Sequence, residues 1–109
     1  MEPQPPTSTT LRLLPWLSPE GKPCFLSASG RDGYMSRLAD TTETRQLTEG
    51  ADVLTRARRL LADPVSPNAE VRYTAIRLTE CLADALRVAE SRGMRLPEPD
   101  RDTDPPSAR

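Results

Sequence analysis

The chain contains no histidine, and this absence removes several classes of chemistry at once. Histidine is the commonest general base, the usual partner of a nucleophilic serine or cysteine, and a frequent zinc ligand. The two cysteines, Cys24 and Cys81, are far apart and neither belongs to a CxxC pair, so we expect no metal site. The glycines form no phosphate-binding or dinucleotide-binding motif. The sequence therefore predicts a protein that is not an enzyme and holds no cofactor.

The chain also lacks an excess of charge and a long apolar run. Its 15 basic and 16 acidic residues give a formal net charge of −1, whereas a nucleic-acid-binding domain usually carries a basic excess. We see no run of about 18 apolar residues and no secretory signal pattern, so we expect a cytoplasmic protein without a membrane segment. Nucleic-acid binding is not favoured. It stays open as the alternative function, a small regulator using the arginine-rich first helix with Arg45, Arg56, Arg58 and Arg59.

Proline, in contrast, is plentiful, and many of the 12 prolines lie near the two ends of the chain. Polar, proline-rich ends cannot bury enough apolar surface to offset the entropy lost on ordering them. We therefore predict a disordered tail over residues 1–9, a single folded domain over 10–96, and an acidic, disordered tail over 97–109. A domain of roughly 85 residues is marginally stable alone, which favours a partner that completes its core.

The first part of the domain, residues 10–40, predicts an extended segment and a β-hairpin. We expect, in order, a half-buried strand over 11–17, a turn over 18–23, a strand over 24–28, a turn over 29–33 and a return strand over Tyr34–Leu38. An isolated hairpin is unstable in water. We therefore expect this one to pack on the helices that follow.

Two aromatic residues of this region are candidates for both core and surface roles. We expect Phe25 to point inward from its strand. Trp16 has two open interpretations: it fills the core, or it docks a partner together with Leu14 and Leu17. The second interpretation makes these three residues a candidate partner-binding site.

Two amphipathic segments predict helices over 41–63 and 67–93. Pro64 ends the first, and Ser66 has the character of an N-cap before a proline at the first helical position. Gly93 has the character of a C-cap. A connection this short makes the two helices antiparallel neighbours. The predicted fold is therefore mainly α, an antiparallel helical hairpin with a small N-terminal β-hairpin packed on it.

Both predicted helices carry apolar residues at heptad-like spacing. A stripe on the second helix predicts its packing seam: Val71, Ala75, Leu78, Leu82, Ala85 and Ala89. The apolar face of the first helix is wide enough to contact more than one neighbour. Because one antiparallel contact cannot cover both faces, we predict a homodimer, with self-association through Leu47, Leu54, Leu61, Val71, Leu78 and Leu82.

Three blocks of the sequence resemble a group of small uncharacterised proteins from Streptomyces and related actinomycetes. The blocks are residues 14–26 (LPWLSPEGKPCFL), 36–40 (SRLAD) and 82–93 (LADALRVAESRG), and the similarity covers about residues 11–96. Proteins of this group tend to accompany regulatory genes. The resemblance implies a cytoplasmic, non-catalytic accessory of transcriptional or developmental regulation, and it supplies no site residues. Together with the surplus apolar face, it predicts a protein–protein interaction module that binds a regulatory protein.

Overall fold

The computed structural model describes residues 11–27 and 33–95. Its elements are β1 (Leu11–Leu17), β2 (Pro23–Ser27), α1 (Gly33–Ala62) and α2 (Asn68–Arg95). The two helices pack against each other, and β1 and β2 form a small antiparallel sheet that packs on them. The predicted fold class is confirmed. The predicted tails, and all but the last residue of the predicted turn at 29–33, lie outside the described residues.

The β-hairpin consists of β1 and β2, the two strands that precede α1. Leu13 lies opposite Phe25, and the register is irregular between Leu13 and Leu17, where Pro15 has no backbone N–H to donate. The turn between the strands is held by Ser18, whose N–H donates to the carbonyl of Lys22 at 2.8 Å. Gly21 has a φ of 82° in this turn, which a glycine adopts without strain.

The return strand predicted over Tyr34–Leu38 is wrong, because these residues belong to α1, which begins at Gly33 instead of near residue 41. The helical period of α1 extends further back than its polar sequence indicates. Ala39, Thr42 and Glu43 are all buried, at helical spacing. The sequence of Tyr34–Leu38 is compatible with a short strand as well as with the first turns of a helix, which is why the helix start was misplaced.

The connection between the helices is closed by polar contacts that differ from the predicted caps. The Ser66 hydroxyl donates to the carbonyl of Leu60 at 2.7 Å, so it closes the end of α1 and is not the N-cap of α2. The carbonyl of Pro67 is the first to accept a helical hydrogen bond of α2. The N–H of Val71 donates this bond at 3.1 Å. The C-cap predicted at Gly93 is also wrong, because α2 continues to Arg95.

The contact between the helices is made of small side chains. Val53 and Ala57 are buried on α1, and Cys81 and Val88 are buried on α2. The seam predicted for α2 is correct in part: Val71, Leu78 and Ala85 are half-buried, whereas Ala75, Leu82 and Ala89 are exposed. Leu82 is 59% exposed, and the packed residue lies one position earlier, at Cys81. One residue is about 100° of helix rotation. Small residues at the contact let the helix axes approach, while the leucines flank it.

A charged group, here called the Glu43 cluster, joins β1, α1 and α2; its members are Arg12, Glu43, Ser91, Arg92 and Arg95. The Glu43 side chain is 1% exposed. Its carboxylate accepts two hydrogen bonds from Arg95, at 3.2 and 3.3 Å, and lies 3.3 Å from Arg12. The Ser91 hydroxyl donates to the carbonyl of Leu13 at 2.7 Å. A buried carboxylate is tolerated only when it is paired in this way.

Candidate interaction surface

An open groove runs along one edge of the contact between α1 and α2, and we call it the apolar groove. Its volume is about 290 Å³. Its lining contains no charged residue and consists of Gln46, Leu47, Gly50, Ala51, Leu54, Leu78, Cys81, Leu82 and Ala85. A patch that is apolar, uncharged and open to solvent is typical of a protein–protein contact site.

Helix geometry explains why leucines line this groove. Leu47 and Leu54 are seven residues apart, which places them within about 20° of each other on α1. They lie to one side of the buried Val53, just as Leu82 lies to one side of the buried Cys81 on α2. Leu54 is 43% exposed in consequence. The leucines therefore form the walls of the groove, and the small residues of the helix contact form its floor.

The groove brings together four of the six residues predicted to mediate self-association, namely Leu47, Leu54, Leu78 and Leu82. The other two extend the same face towards the connection between the helices. Leu61 follows Leu54 by one heptad and is exposed, and Val71 precedes Leu78 by one heptad and is half-buried. The structure thus places all six on one side of the helical hairpin. Self-association itself stays a prediction.

The opposite edge of the helix contact has the reverse character. Glu49, about 200° around α1 from Leu47, pairs with Arg77 of α2 at 2.8 Å. Arg77 also donates to Glu80, and this hydrogen bond raises the pKa of the Arg77 guanidinium above its ordinary value. One edge of the hairpin is therefore bridged by charges while the other exposes leucine.

The four arginines proposed for nucleic-acid binding do not form one basic surface. Helix geometry places Arg45, Arg56 and Arg59 within about 60° of one another on α1 and puts Arg58 on the other side. Two acidic residues, Glu49 and Asp52, fall in the same sector as the first three. Interspersed carboxylates reduce the positive potential that a phosphate backbone requires.

The three N-terminal residues predicted to bind a partner have very different exposures. Leu14 is buried, Trp16 is half-buried, and Leu17 is 44% exposed. Partner binding through them stays a prediction, in which Leu17 offers the most accessible side chain. Phe25 lies opposite the buried Leu13, so its side chain is on the face of the sheet that packs on the helices, as expected, but at 48% exposure it lies at the edge of the core. It lines a cavity of about 240 Å³ beside Leu86, on the outer side of α2.

The cysteines lie apart in the fold. Cys81 is buried in the helix contact, and Cys24 is half-buried at the start of β2. Among residues 11–27 and 33–95, no group of three or more cysteine, aspartate or glutamate side chains is arranged to hold a metal ion.

Sequence reasoning missed the Glu43 cluster, although a signal for it exists. Glu43 is separated from Ala39, Gln46 and Gly50 by four, three and seven residues, respectively. These helical spacings place Glu43 on the packed side of α1. An acidic residue on that side requires cationic partners. Arg92 and Arg95 lie at the end of α2, which an antiparallel hairpin brings beside the start of α1.

Comparisons of the chain with protein-family models, with curated proteins and with solved structures give no match. Neither of the two described helices contains a segment that is apolar enough to cross a membrane. The functional argument therefore depends on the surfaces of the molecule itself.

Proposed function

We propose that this protein is a non-catalytic protein–protein interaction module and that the apolar groove is its binding surface. One observation carries the proposal. Large apolar side chains such as Leu54 and Leu82 are substantially exposed, while the buried contact beneath them is built from small residues such as Ala57 and Cys81. Covering the leucines with a partner would remove apolar surface from water, the main driving force of association.

The proposed partners are a second copy of the chain, giving a homodimer, and a regulatory protein. The proposed role is that of a cytoplasmic accessory to bacterial transcriptional or developmental regulation. Support for the regulatory role comes from the resemblance in residues 14–26 and 82–93. Support for protein binding comes from the apolar groove, whose lining contains no charged residue.

Capture of partners from a lysate of the native host tests this function. We expect the full-length protein to retain at least one protein that a Leu82→Asp variant loses, because a carboxylate in the groove would be desolvated without a partner. Ile76→Asp is the matched control. Ile76 is on the same helix and is 47% exposed, but it lies about 120° away from Leu82 around the helix axis.

Comparing capture by the two variants shows whether the groove is the binding surface. Loss of the same captured protein from both variants, or from neither, would contradict the assignment of the groove as the binding surface. Capture that disappears after nuclease treatment of the lysate would instead support the nucleic-acid-binding alternative. Capture of proteins by wild type and Ile76→Asp, but not by Leu82→Asp, is the predicted pattern.

A further inference from the structure

We infer that the occupant of the apolar groove is a second copy of this chain, and that Gly50 forms the cavity into which an apolar side chain of that copy inserts. This inference rests on the proposed function, since it names the partner of the same surface. It goes further by assigning a specific role to a residue that the fold of one chain does not explain.

Gly50 lies in the middle of α1, where glycine is less favourable than alanine. Its φ is not positive, so the backbone does not require glycine. A Cβ atom built at this position would meet the Cβ of Cys81 at 3.8 Å, which is an ordinary van der Waals contact. The packing of α1 on α2 therefore has room for alanine, so the contacts within one chain do not require glycine at this position.

The surroundings of Gly50 supply a reason for glycine. Gly50 and Cys81 form part of the floor of the groove, and the walls are leucines of both helices. Helix pairs associate by inserting apolar side chains of one into spaces between side chains of the other. Because this face carries both the protruding leucines and a space at Gly50, it is complementary to itself under a two-fold rotation.

The size and charge of the face also fit a second copy. From Gln46 to Leu61 α1 is about 24 Å long, and two helices side by side are about 20 Å wide. The contact would then cover on the order of 500 Å² on each copy, or about 1,000 Å² in total, the lower limit for a specific interface. The groove lining, which ends at Leu54 on α1, is uncharged, so its two copies meet there without like-charge repulsion. Beyond the groove, helix geometry places Arg58 on the same face. The product is a weakly associating antiparallel four-helix bundle.

Sedimentation equilibrium of the full-length protein tests the inference, with Gly50→Gln as the variant and Gly93→Gln as its matched control. Both changes replace a helical glycine with a better helix former, and an added Cβ at Gly93 meets nothing within 4 Å. We expect wild type and Gly93→Gln to form dimers with equal dissociation constants. We expect the dissociation constant of Gly50→Gln to rise at least tenfold. Gly50→Ala, which adds only the Cβ, is measured as well, and circular dichroism verifies that each variant is folded.

Each outcome decides between distinct accounts. An unchanged dissociation constant for a folded Gly50→Gln would overturn the role of Gly50. A wild-type monomer at high micromolar concentration would overturn the second copy as occupant and leave a tail of the chain or another protein in its place. If Leu82→Asp still loses a captured host protein in that case, the proposed function survives while this inference fails.

Discussion

Two regions of the helical hairpin achieve burial in opposite ways. Where β1 joins the helices, the Glu43 cluster places a carboxylate at 1% exposure among arginines. Near the middle of the same helices, the apolar groove leaves Leu82 at 59% exposure. Charge is buried in the first region and leucine is exposed in the second. Within one chain, the first region ties three elements together, whereas the second contributes surface that nothing in residues 11–27 and 33–95 covers.

This difference separates the residues that stabilise the fold from those that we propose to bind a partner. A buried ion pair is highly sensitive to the loss of one partner, because the remaining charge is left desolvated. An exposed leucine contributes little to the folding of its own chain and much to an interface that buries it. Substitutions in the two regions should therefore have opposite consequences for unfolding and for association.

The largest expected effect on stability is at Glu43. Glu43→Gln should lower the free energy of unfolding by about 3 kcal/mol, because Arg12 and Arg95 would lose their buried counter-charge. Urea unfolding followed by circular dichroism measures the change. Glu49→Gln is the matched control: it removes a carboxylate that is 53% exposed and pairs with Arg77 on the surface, and we expect no measurable shift of the urea midpoint. Equal midpoints for the two variants would contradict a stabilising role of the Glu43 cluster.

Two substitutions in the β-hairpin should have smaller and unequal effects on the free energy of unfolding. Leu14→Ala should cost about 2 kcal/mol of unfolding free energy, since Leu14 is 5% exposed and its removal leaves a cavity. Phe25→Ala should cost about 1 kcal/mol or less, because Phe25 is half exposed. Thermal and urea unfolding of both variants verify the order. If Phe25→Ala is the more destabilising of the two, the hairpin packs on the helices in a different way.

The helices and strands of this fold are largely predictable from the sequence. The rotation of each helix about its own axis is not. Apolar periodicity and Pro64 identify two helices and their antiparallel order, because both signals are local. Half of the stripe predicted on α2 is packed, and the other half is displaced by one residue. Leu82 is the more hydrophobic choice, but Cys81 is small enough for close helix contact. That choice depends on which residues α1 presents, which is long-range information.

The burial of Glu43 and the start of α1 were missed for related reasons. Glu43 looks like a surface residue until Arg95 is brought beside it from the end of α2. In the same way, β2 pairs with the strand before it, and the local pattern of Tyr34–Leu38 suits either a short strand or the first turns of a helix. The leucines of the candidate surface were identified by their spacing alone, since the pattern that predicts a helix face does not depend on what covers it.

Unfolding and association of Leu82→Asp, measured on the same samples, test most directly the claim that the apolar groove is a binding surface and not part of the folding core. The account predicts that the free energy of unfolding in dilute solution stays within about 1 kcal/mol of wild type, because Leu82 is exposed in the single chain. It also predicts that sedimentation equilibrium at high micromolar concentration shows a dimer for wild type and a monomer for the variant. A variant that loses its helical circular dichroism in dilute solution, or one that still dimerises as wild type does, would contradict the claim.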